Sequence, residues 1–373
     1  MIRFLIALLA LLFLPSAWSA FHNYDIENGL SQSVVFDIVQ DQQGFMWFST
    51  QAGLNRFDGN EFTVFTASDE ANSLANNYIY PLALDSESQL FIGTRNSGVN
   101  QLALHNYQFS EPLLKERRIT SLLVAQQHVY IGTYDGSLFR YDKRTQQLER
   151  LITDLKKPIY ALSKIADILW VGTHGAGLLH YDLINKQQIN TIFSGFAESV
   201  DIHASIFAIK QAADGSIWLA SQGGGLYKIE LSTKTMTQWL TSNDVEVGLS
   251  SNEIRDIEFD SQGQVWLATR GGGINVYDPI NASFTVLAHD PFDKYSLAHN
   301  RVYSIYRDSS DIMWFGTANG ISKLDPASLQ FSKLKKPAPL SSNDAWALFE
   351  DSKQRIWYGS WGGGIDILDQ QLN

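Results

Sequence analysis

Residues 254–278 read IRDIEFDSQGQVWLATRGGGINVYD. The run Ile254 to Phe259 is a short apolar-rich strand. Asp260-Ser-Gln-Gly263 is a tight turn, in which Asp accepts turn amides and Gly takes a positive φ. Val265 to Thr269 is apolar on both faces, the pattern of a strand covered from two sides. Gly271 to Gly273 turns the chain again, and Ile274 to Tyr277 forms a third strand. Three short strands joined by two turns make an antiparallel meander.

The same wording recurs eight times. The Trp266 position is taken in turn by Trp47, Phe91, Tyr130, Trp170, Trp218, Trp266, Trp314 and Trp357, 39 to 48 residues apart. A strand-rich repeat of that length, marked by Gly and Trp, predicts a β-propeller. The fifth copy is the most complete: strand a over 206–211, b over 217–221, c over 226–230 and d over 235–240. The expected fold is therefore all-β, a single propeller of four-stranded antiparallel blades built from eight repeats. Each Trp is expected to wedge against the next blade. Burying one removes about 150–250 Å² from water, an upper limit of ~4–6 kcal/mol.

Ring closure has two solutions. Phe21-His-Asn-Tyr24 precedes the first repeat and reads as a spare outer strand. The eighth copy, Asp344 to Asp369, supplies a, b and c only. Pairing the two would close an eight-bladed ring and cover two edges. The alternative is a seven-bladed ring plus a partial blade.

A second element precedes strand a, as in Gly248-Leu-Ser-Ser-Asn252 and Ser296-Leu-Ala-His-Asn300. Its Leu is expected to plug the core beneath a loop. Asn77, Asn252, Asn300 and Asn343 share one register and are expected to cap that loop.

The 373 residues are 45% apolar, with 10 Trp, 15 Tyr and 21 Phe, enough to fill a large aromatic core. A formal charge of -11 disfavours nucleic acid and anionic membrane as partners. Residues 1–19 read as a signal peptide: Arg3, an apolar run from Phe4 to Leu14, and Ala17-Trp18-Ser19 ahead of cleavage, with Ala20 the second choice. Residues 20–373 form the propeller. The expected location is the periplasm, and a chain without Cys needs no disulfide there.

These repeats resemble the two-component regulator propeller family. The stretch 30–59, LSQSVVFDIVQDQQGFMWFSTQAGLNRFDG, is similar to that family's opening repeat, and the resemblance runs from 21 to 369. It implies the periplasmic sensor half of a receptor, normally followed by a β-sandwich, one transmembrane helix and a kinase or diguanylate cyclase. Residues 1–373 hold none of those modules, so any membrane link is expected through segments missing from this sequence. The resemblance also implies an oligosaccharide or acidic sugar as ligand. A free-standing scaffold for a protein partner, or a propeller enzyme such as a lyase, is the alternative.

Propeller ligands are expected over the central channel, on the b–c and d–a loops. The candidate binding residues are Arg95, Asn96, Tyr134, His174, Gln222, Arg270, Arg301 and Trp361. The arginines suit a carboxylate or sulfate, and the aromatic rings suit a sugar face. No catalytic motif is present: there is no G-x-S-x-G elbow, H-E-x-x-H or phosphate loop. His174 and His180 share a hairpin without a third ligand, so no metal and no cofactor are expected.

Overall fold

The computed structural model describes residues 21–70, 72–153, 155–189, 202, 204–242, 248–330, 345–360 and 364–368. The signal-peptide expectation falls outside these residues, as do Trp361 and Asn343. The chain divides into two compact units, one being Ser19–Pro326 and the other containing Ala327–Asn373.

The first unit holds seven four-stranded antiparallel sheets. In the fifth, strands Ser205–Gln211, Ile217–Gln222, Leu226–Glu230 and Thr235–Trp239 follow in order, close to the expected boundaries. The innermost strands are Val35–Gln40, Ile79–Leu84, Ile119–Ala125, Ile159–Ile165, Ser205–Gln211, Ile254–Phe259 and Val302–Arg307. Each packs on the next, and the seventh returns to the first, so the unit is a closed ring.

The N-terminal strand closes that ring, but on the seventh sheet and not the eighth. His22–Tyr24 pairs antiparallel with Gly320–Leu324, in the register Asn23 to Ser322. Gly320–Leu324 is followed by a 3-10 turn at Pro326–Gln330, and its outer edge carries the chain's first described strand. Trp314 of the seventh sheet then packs with Leu30, Val35, Ile38, Phe48 and Phe57 of the first. The seven-bladed alternative describes this ring.

The remaining repeat forms its own three-stranded sheet in the other unit, from Ala345–Glu350, Ile356–Ser360 and Gly364–Leu368. Trp346, Leu348, Phe349 and Ile365 are exposed on it.

Within the ring the indoles do what the spacing predicts. Trp47 lies among Leu74, Ile79, Leu82 and Leu90 of the following sheet, and Trp218 among Leu249, Ile254, Ile257 and Leu267. The turn Asp does more than hold the turn. Asp41 Oδ1 accepts the amides of Gln43 and Phe45, and its Oδ2 accepts the Trp47 indole N–H at 2.8 Å. Asp260 and Asp308 bond Trp266 and Trp314 in the same way. In the second repeat Phe91 has no N–H to give. The spare oxygen of Asp85 instead receives Lys143 from the neighbouring sheet at 2.8 Å. A buried carboxylate deprived of its donor has found another.

The Asn register is a loop cap, as expected. The side-chain oxygens of Asn77, Asn252 and Asn300 accept the backbone amides of Ala67, Thr241 and His289.

One feature recurs on every innermost strand. The pairing register slips near the start of the strand, at the second residue or, in Ser205–Gln211, the third, in all seven ring sheets and in the eighth. Such a β-bulge re-aims the extra side chain. The small residue facing it on strand b is obligatory in several sheets. A methyl on Gly132 would sit 2.7 Å from Ile159 Cγ2, and one on Gly172 would sit 2.8 Å from Ile206 Cγ2.

Candidate functional site

The bulges direct one side chain per sheet into the axis of the ring. In chain order these are Phe36, Tyr80, Thr120, Tyr160, Phe207, Arg255 and Tyr303, and all seven line a cavity of about 430 Å³. That volume lies in the range of small-molecule sites, about 300–1,000 Å³. Arg118, Arg270 and Arg301 add three further guanidinium groups to its wall, and Asp37, Lys210 and Asp256 also line it.

The rings form two clusters. Phe36 stacks with Tyr78, lies tilted against Tyr80 and meets Tyr303 edge-on at 5.4 Å. Tyr160 stacks on Phe207 at 4.9 Å, with His174 against both. Arginines lie over these rings. Arg255 is 4.0 Å from the centre of Phe207, Arg118 is 4.2 Å from Tyr134 and 5.1 Å from Tyr80, and Arg95 is 4.7 Å from Tyr78. Arg118 also donates to the Tyr80 hydroxyl at 3.1 Å.

The cations are short of anions. Arg270 faces Glu253 at 3.4 Å. Among the described residues, Arg95, Arg118, Arg255 and Arg301 form no ion pair, and the Nε atoms of Arg118 and Arg255 are buried without a hydrogen-bond acceptor. Burial, then the like charge of Arg270, holds the Arg255 pKa below its usual value. Both effects penalise the cation, and the charge of Glu253 offsets them in part. Burial also pushes the Tyr78 hydroxyl up to about 12, helped by Tyr80, so it stays a protonated donor.

Of the eight residues expected from the loops, Arg270 and Arg301 line the cavity and are joined by an isolated bridge between their backbones. Arg95, Tyr134 and His174 do not line it but contact Tyr78, Arg118 and the Tyr160–Phe207 pair. Asn96 is exposed, Gln222 bridges to Glu253, and neither lines the cavity. Trp361 lies outside the described residues. The loop-based expectation omits the wall itself, namely the bulged positions and Arg118. A signal for the wall was available: aligning the repeats on the buried Ile or Val that opens strand a puts F, Y, T, Y, F, R and Y in one column.

The fold and site define a seven-bladed β-propeller with a cationic, aromatic axial cavity. Four stretches, residues 29–52, 248–271, 296–319 and 339–362, match the family described as two component regulator propeller. Four of the eight repeats thus match that family's repeat, in line with the resemblance. Over 50 residues it is 44% identical to Histidine kinase P4 of Formosa agariphila, which is 13% of this chain and 4% of that protein. Among solved structures it is similar to the extracellular domain of a putative hybrid two component system from B. thetaiotaomicron, with 20% identity and a TM-score of 0.68 over 95% of this chain and 54% of that one. A putative one component system from the same organism matches with 21% identity and a TM-score of 0.69, over 95% of this chain and 46% of that one. A virginiamycin B lyase from Staphylococcus aureus matches at 10% identity, TM-score 0.61, over 82% of this chain and 98% of that one. At such identities the structural likeness shows the fold alone. The chain spans about half the length of the extracellular domains it matches. No described helix is long and apolar enough to cross a membrane.

Proposed function

We propose that this chain is the exported, ligand-sensing propeller of a two-component-type receptor, and that its ligand is a small anion with a ring face, such as an acidic sugar, held in the axial cavity. The observation that carries this is Arg255: a half-buried guanidinium over Phe207, its Nε buried without an acceptor and no ion pair made among the described residues, in a wall shared with Arg118, Arg270 and Arg301. A ligand carboxylate or sulfate would supply the missing acceptor, with hydrogen bonds to charged groups worth about 1.5–3 kcal/mol each. The faces of Tyr160 and Phe207 suit the apolar side of a sugar ring. The family repeats, and the extracellular sensor domains among the structural neighbours, support the receptor role.

Calorimetric titration with a panel of uronic acids and sulfated sugars tests it. The wild type is expected to bind at least one of them saturably and more weakly at high salt. An Arg255→Ala Arg301→Ala double variant is expected to lose about ten- to a hundredfold in affinity. Equal heats from the two proteins would remove the cavity from consideration.

A further inference from the structure

The same cavity holds charges of the opposite sign one residue further along the strands. In two innermost strands the residue after the bulge is an Asp, at Asp37 and Asp256. At the equivalent place the other strands carry Pro81, Ser121, Ala161, Ala208 and Ser304. Each Asp carboxylate ties two sheets together. Asp37 accepts the amides of Ile38 and of Leu82 in the next sheet, and Asp256 accepts those of Ile257 and of Ile305 in the next sheet. A carboxylate has about four acceptor sites, so each keeps capacity toward the cavity it lines.

The one ammonium that acts on both members of this pair is shared with a third carboxylate. Lys210 lines the cavity too, but its ammonium is bonded to Glu258. Burial first, and then for Asp37 the charge of Asp256, pushes the two carboxyls up to about 7 and about 6. The other charged or titratable groups facing this space are Arg118, Arg255, Arg270 and Arg301 with Glu253, and the phenols of Tyr80, Tyr160 and Tyr303. The cavity therefore has guanidinium groups without anions and carboxylates whose one ammonium is shared.

We propose that the ligand is bipolar: a small molecule whose carboxylate or sulfate meets Arg255 and Arg301 while an ammonium on the same molecule reaches Asp37 and Asp256. This rests on the anion-binding reading of the cavity and narrows it. A plain anion neutralises the arginines but adds a like charge beside the Asp pair, so its binding takes up a proton and weakens as pH rises. A bipolar ligand requires the pair ionised, so its binding releases protons and strengthens as pH rises through 6 to 7. The two pH slopes have opposite signs.

Glucosamine 6-sulfate and N-acetylglucosamine 6-sulfate form a matched test pair, because only the first carries an ammonium. Titrating the wild-type chain with each at pH 5.5 and 7.5 is expected to show the free amine bound about tenfold more tightly at pH 7.5, with the preference shrinking at pH 5.5. Asp37→Asn and Asp256→Asn variants are expected to lose that preference and retain binding of the acetylated sugar. The wild-type pH profile decides the matter even where a variant does not fold. Equal affinities, or a preference for the acetylated sugar that grows with acidity, would overturn the bipolar ligand and leave the anion site standing. Binding of neither sugar, or binding unchanged by Arg255→Ala, would overturn both.

Discussion

The sixth and eighth repeats use nearly the same words, and their side chains end in different surroundings. Trp266 is 0% exposed and bonded through its indole to Asp260. Trp357 makes the same bond to Asp351, at 3.0 Å, yet is only half-buried. The bulged residue of the sixth repeat lines the axial cavity, whereas its counterpart Trp346 is 73% exposed. The hairpins, the turn carboxylate and the bulge are thus properties of one repeat. Burial and a binding wall are properties of a closed set. One repeat cannot cover its own two faces, and neighbours on both sides must do so.

The comparison is easiest to break at the indoles. Trp266→Ala should cost about 3–5 kcal/mol, because it leaves a large void and strands the Asp260 oxygen. Trp357→Ala should cost less than about 1 kcal/mol at its half-wetted site. Urea unfolding of the two variants measures this, and equal losses would mean that the eighth sheet is as well packed as the ring.

A smaller effect is expected at the glycines opposite the bulge. Gly132→Ala must push a methyl into Ile159 of the next sheet and should cost about 1–3 kcal/mol. Gly359→Ala meets nothing nearer than 3.6 Å, and should change stability by no more than about 0.5 kcal/mol. Matched thermal melts would show it. A damaging Gly359→Ala would mean that another element approaches this strand in solution.

The smallest effect sharpens the contrast. Trp346→Ala should leave stability within about 0.5 kcal/mol and remove the fraction of tryptophan fluorescence most readily quenched by acrylamide. Unchanged quenching would mean that Trp346 is covered.

Much of this architecture was legible because it repeats. Strand order, the Asp–Gly turn and the Asn cap all follow from short-range chemistry, so each copy spells them out again. Two things were not legible. Ring closure depends on which edge is vacant, and Gly320–Leu324 and Gly364–Leu368 both read as acceptable partners for His22–Tyr24. The pairing of His22–Tyr24 with Gly320–Leu324 is a tertiary choice that neither strand's own residues spell out. The cavity wall was hidden for another reason. Phe36 and Tyr303 sit inside strands and read as ordinary core, since a bulge breaks the alternation on which facing is judged. The loop residues, by contrast, drew attention because loops carry most recognition surfaces.

The pairing of Asn23 with Ser322 joins positions 299 residues apart. At roughly 5–20 residues per second, the ribosome needs about 15–60 s between making the first and making the second. Throughout that interval the earliest segment has no mate, and every sheet already formed belongs to an arc with two raw ends. The ring is thus sealed by its first strand meeting its seventh sheet, and whatever guards the nascent chain must guard it until that late meeting.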